Sequence, residues 1–166
     1  MNKIHSLRAA IEQAIPELRQ HPERLSLFVE KGRIASASRV HASFEYRYEV
    51  QILLTDFAAD VDLAVVACIL WAQVNEPEIF DRWRNTQEGI EFEAEVIDDN
   101  KVDLAITMPL TERVLVKRQE DGSHNIEHVG EPLAPDPLGP PLGIFRKLHA
   151  QQGDQPPVYL STEPAP

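Results

Sequence analysis

The chain has 166 residues, the size of one domain, and 43% of them are hydrophobic, enough to build a core. Its formal charge is -11, from 16 basic against 27 acidic residues, which argues against a protein whose main work is gripping nucleic-acid phosphates through clustered Lys and Arg. The most apolar run, Leu63 to Trp71, falls short of the roughly 20 residues that cross a membrane, and the N-terminal MNKIHS holds no signal-peptide core, so a cytoplasmic protein is expected.

Leu7, Ala10, Ile11, Ala14 and Leu18 follow helical spacing, with Ser6 as a candidate cap. Pro16 would disrupt the pattern, so the first helix is expected from about Asn2 to Ala14. Leu25 to Ile34 reads as a strand with Phe28 and Val29 at its centre. Phe44, Tyr46, Tyr48, Val50, Ile52 and Leu54 alternate with Glu45, Arg47, Glu49 and Gln51, the clearest strand signal in the chain. Asp60 or Asp62 then caps a helix that Pro77 stops after Asn75. Its stripe of Ala64, Val65, Cys68 and Ile69 makes the single cysteine a buried apolar residue, and Trp71 belongs to the same core. Ile90, Phe92, Ala94 and Val96 alternate with Glu91, Glu93 and Glu95. A turn at 98–100 leads to Val102, Leu104, Ile106 and Met108, which alternate again. Thr111 to Lys117 and Asn125 to Val129 can add edge strands. The expected fold is α+β in the order α-β-β-α-β-β-β, a mainly antiparallel sheet with two helices covering one face.

Nine of the 13 prolines lie between Pro132 and Pro166. Two parts follow: an α+β domain over 1–130, and a Pro-rich, extended C-terminal arm over 131–166. Within the arm only Gly143 to His149 could order, and Phe145 and Leu148 either anchor a neighbouring subunit or are incidental apolar residues of a solvated tail. Phe80 and Trp83, in a charged stretch after the second helix, are further interface candidates, although packing under their own loop explains them equally well.

The chain holds no glycine-rich phosphate loop, no HExxH and no GxSxG. His124 and His128 lie on a strand pattern that would hold them about 13 Å apart, too far for a shared metal. Asp98, Asn100 and Asp103 are fragments of a calcium loop without its glycine and bidentate glutamate. Neither a metal nor a cofactor is implied. Glu91, Glu93 and Glu95 would share one sheet face while Ile90, Phe92 and Val96 fill the core. Those carboxylates are solvated, or paired with Arg47 and Arg113, or they form an acidic lining.

The runs LRAAIEQAIPEL (7–18), PERLSLFVEKGRI (22–34) and FEYRYEVQILLTDF (44–57) resemble the gpR tail completion family of temperate contractile-tailed phages. WAQVNEPEIF (71–80), LTERVLV (110–116) and EHVGEP (127–132) continue the likeness in order, so it spans about 1–132. The resemblance implies a non-enzymatic structural protein that completes the head-proximal end of a contractile tail, in phages, prophages and headless tail-like bacteriocins. It also implies a tail-terminator-like domain that forms a hexameric ring with itself and meets tail tube and sheath subunits, with neck proteins as further neighbours and DNA only as passing cargo. Glu91, Glu93 and Glu95 would then face the channel, where like charge keeps DNA from sticking. A head–tail adaptor and a small hydrolase using the acidic cluster are the competing readings.

Overall fold

A computed structural model describes residues 1–36, 39–81, 89–98 and 101–131, together with the backbone of 147–150 and 158–161. Helix α1 (Asn2–Ala14) is followed by a short helix α2 (Glu17–Gln20) and a 3-10 turn (Pro22–Arg24). Strands β1 (Leu25–Ala35) and β2 (Phe44–Phe57) precede helix α3 (Val61–Asn75), and β3 (Glu91–Asp98), β4 (Lys101–Arg118) and β5 (His124–Val129) follow it. The sheet is antiparallel throughout, ordered β1-β2-β4-β3, with β5 also pairing β4. The fold is the expected α+β one.

The alternation in β2 works as physics requires. Tyr48, Val50, Ile52 and Leu54 point to the helices and are buried, and Leu104, Ile106, Met108 and Leu110 of β4 lie opposite them. Leu7, Ile11 and Ala14 from α1 and Ala64, Ala67, Cys68 and Trp71 from α3 close the core. Each fully buried aliphatic or aromatic side chain stabilises the fold by about 1.5–3 kcal/mol. Asp60 caps α3 by accepting from the Asp62 amide at 3.0 Å. Ser6 caps nothing. It lies inside α1, donates to the Lys3 carbonyl and accepts from the Trp71 indole at 3.1 Å.

Two expectations need correction. The segments 102–108 and 111–117 are one continuous strand, although Pro109 lies between them. Along one side of β4 the pairing with β2 is nearly unbroken; along the other, β3 pairs up to Thr107 and β5 only from Arg113. Thr111, two residues on and so on the same side as Pro109, sends its amide into that gap to Glu76 Oε2 at 2.9 Å. The missing N–H of Pro109 therefore falls where no ladder needs it.

The second correction concerns β3. Phe92 and Val96 do face the same side as the core row Ile106 and Val102, but the helices do not reach them, and they stand 66% and 78% exposed. Ile90 alone of that trio packs partly against the core.

Beyond residue 131, the backbone of β6 (Lys147–Ala150) pairs antiparallel with β7 (Val158–Ser161) as a separate two-stranded sheet. The second of these strands has no counterpart in the sequence reading.

Cys68 is fully buried, and burial pushes its thiol up to about 12. A thiol reagent should accordingly leave it untouched in the native protein and label it once denaturant is added. Rapid native labelling would contradict its place in the core.

Candidate functional site

The polar chemistry of the described residues gathers in two places. The first is a buried network at the start of α1, where the gap beside β4 opens. Glu112, 4% exposed, faces the helices, and its carboxylate accepts from the amides of Asn2 at 2.8 Å and Lys3 at 3.2 Å. A strand residue thus caps a helix end whose own N-cap, Met1, offers no side-chain hydrogen bond. Tyr48 donates its phenol to Glu112 Oε1, and His128 Nδ1 lies 3.4 Å from Oε2. Burial works to raise the Glu112 carboxyl, but the Tyr48 hydroxyl, the two amides and the nearby N-terminal charge outweigh it and hold the group below its ordinary value. The Tyr48 phenol is pushed up, first by burial and then by Glu112 and Glu76.

Glu76, 1% exposed at the end of α3, accepts from Lys3 Nζ at 2.8 Å and from the Thr111 amide and hydroxyl. Lys3 Nζ also meets Glu131 at 2.9 Å. The segment after α3 therefore meets β4 in the gap left by β3 and β5, through Glu76 and Glu78, and Ile79 joins the hydrophobic core. This network locks α1, α3 and the sheet together. The sequence reading missed it, although Lys3 occupies the buried stripe with Leu7 and Ile11, and Glu112 occupies the inward parity between Leu110 and Val114.

The second place is the open face of the sheet, away from the helices. Glu91, Glu93 and Glu95 stand opposite Thr107, Ala105 and Asp103, all three exposed and without an ion-pair partner among the described residues. Arg47 and Arg113 do not reach them. Both bind Glu45, at 2.6 and 3.3 Å, and Arg113 also approaches Glu78 at 3.8 Å. The Arg47 hydrogen bond and charge, with Arg113 behind it, hold the Glu45 carboxyl below its usual range. At the far edge of the same face, Lys31 and Arg33 of β1 oppose Glu49 and Arg47. The face is acid along β3 and largely basic along β1.

Of the proposed interface aromatics, Phe80 packs partly against the core. Trp83 and Phe145 lie outside the described residues, and Leu148 is described only as part of the β6 backbone. His124 and His128 share the exposed strand β5, and among the described residues no group of three His, Cys, Asp or Glu side chains is arranged to hold a metal ion.

A helix-backed antiparallel sheet whose strands β1 and β3 each keep a side that no described strand pairs, held by a buried charge network, defines a small α+β scaffold protein. The sequence model of the P2 phage tail completion protein R (GpR) family matches residues 1–132. The tail completion protein R of Escherichia phage P2 is 35% identical over 145 residues, 87% of this chain and 93% of that protein. No solved structure matches. The chain belongs to the P2 phage tail completion protein R family, and its role is structural, in tail assembly.

Proposed function

We propose that the chain finishes the head-proximal end of a contractile phage tail as a ring-forming terminator subunit. Membership of the tail completion family over 1–132 carries the tail role. The ring reading is supported by the outer sides of β1 and β3, which no described strand pairs, since a heterologous contact closes into a ring when its rotation permits. Six copies, seated on tube and sheath subunits, form the ring on this reading. Assembly takes place in the host cytoplasm, and the protein ends in the tail of the particle. The role requires surfaces and no reacting centre, so we assign no enzymatic activity.

A uniformly acidic channel is less well supported. The open face that bears Glu91, Glu93 and Glu95 also bears Lys31, Arg33, Arg47 and Arg113, so a channel lined by it would be mixed in charge. The Pro-rich arm over 131–166 is proposed to reach a neighbouring subunit or tail protein.

An electron-microscopic map of intact tails tests the placement: density for this chain should sit at the head-proximal end with six-fold symmetry. Density at the opposite end, or none in purified particles, would remove the proposal. Deleting the gene should give tails of wrong length or unstable ends, whereas normal tails that fail to join heads would indicate a head–tail adaptor.

A further inference from the structure

We infer that copies of this chain join edge to edge, the outer edge of β3 in one copy pairing antiparallel with the outer edge of β1 in the next. The inference rests on the ring reading above and specifies the contact that closes the ring.

Backbone geometry supplies the first argument. In the order β1-β2-β4-β3 the two outer strands each have one side that no described strand pairs, leaving a row of N–H and C=O groups that can extend the sheet. Three successive antiparallel pairings make β3 run opposite to β1 within one copy. A neighbour carried round by rotation therefore presents β1 antiparallel to β3, the direction such a ladder needs.

Side chains match on both faces. On the open face, β3 carries Glu91, Glu93 and Glu95, and β1 beyond its bulge carries Lys31 and Arg33; all five are exposed and lack an ion-pair partner among the described residues. On the helix-side face, β3 carries Phe92 and Val96, and β1 carries Ile34, itself 68% exposed. Continuing the sheet from one copy to the next would set carboxylates beside cations on one side and apolar groups beside each other on the opposite side.

Each edge also holds a charge conflict inside its own copy. Arg33 stands directly opposite Arg47, and Glu95 directly opposite Asp103. Like charges facing each other across a ladder destabilise it, and the edge of the next copy brings the opposite sign to both. The same arrangement rejects wrong pairings, since β3 on β3 sets acid on acid and β1 on β1 sets base on base. Of the pairings between these two edges, only the head-to-tail one is free of repulsion.

Charge reversal at these exposed sites tests the contact. One variant carries Glu91→Lys, Glu93→Lys and Glu95→Lys; the other carries Lys31→Glu and Arg33→Glu. Circular dichroism should show both variants folded with a cooperative thermal transition, and assembly is read on the full chain by native mass spectrometry and by incorporation into tails lacking the parent protein. Each variant alone should assemble on the order of a hundredfold more weakly, because like charges are then juxtaposed. An equimolar mixture should recover the oligomer, since each altered edge finds the complementary one. Parent-like assembly by either variant alone, or no recovery on mixing, would overturn the edge contact while leaving the ring itself standing. A parent chain that is single in solution and missing from tails would overturn both.

Discussion

Replacing Glu112 by alanine should lower the stability of the domain by about 3–5 kcal/mol, the usual cost of removing one partner from a buried charged network. The amides of Asn2 and Lys3 and the Tyr48 hydroxyl all lose their acceptor at once, and α1 loses its cap. Each buried donor left without a partner costs roughly 1–3 kcal/mol. The melting temperature should fall by roughly 10–15 °C for a domain of this size.

The pH dependence has a definite sign. Because the folded carboxyl is held below its ordinary value, its contribution is complete above the unfolded value, near pH 4.5, and drains away as the pH falls through the folded one. Glu112→Gln should therefore flatten part of the acid limb of a stability–pH curve measured by urea denaturation. An acid limb unchanged by that substitution would mean that other carboxylates set it.

Glu76→Ala should cost about 3 kcal/mol for a related reason. The Thr111 amide loses its acceptor in the gap beside β4, and the Lys3 ammonium keeps Glu131 as its charged neighbour. Glu76→Gln retains an acceptor for Thr111 and loses the charge, so it should recover part of the deficit. Adding Lys3→Met to Glu76→Ala should cost less than the sum of the two, because the residues share one network. Urea midpoints of the four proteins measure the coupling, and strict additivity would show that the 2.8 Å pair contributes no energy of its own.

Most of the scaffold was legible because local periodicity and burial agree. The alternation of β2, the stripe of α1 and the Asp60 cap each express a rule that one segment obeys by itself. The exposure of Phe92 and Val96 was not legible, since alternation tells which side chains share a face and not whether anything covers that face. The continuity of β4 through Pro109 depends on where β3 ends and β5 begins, information that lies far away in sequence. Lys3 and Glu112 were readable in principle: a charge on the apolar parity of a strand, and another on the buried stripe of a helix, announce partners without naming them. Glu76 carried no such signal, because it follows the last turn of α3, where charged residues are ordinarily solvated.

The length of β4 has a consequence for how such a protein can diversify. Its 18 residues extend about 60 Å at strand rise, and the inward-facing side chains are buried from Leu104 to Val114 and no further. The last four residues, Leu115 to Arg118, pair only with β5, every residue of which is exposed. Changes at this end of the sheet therefore cost the core little, and its sequence can drift while the body that supports it stays the same.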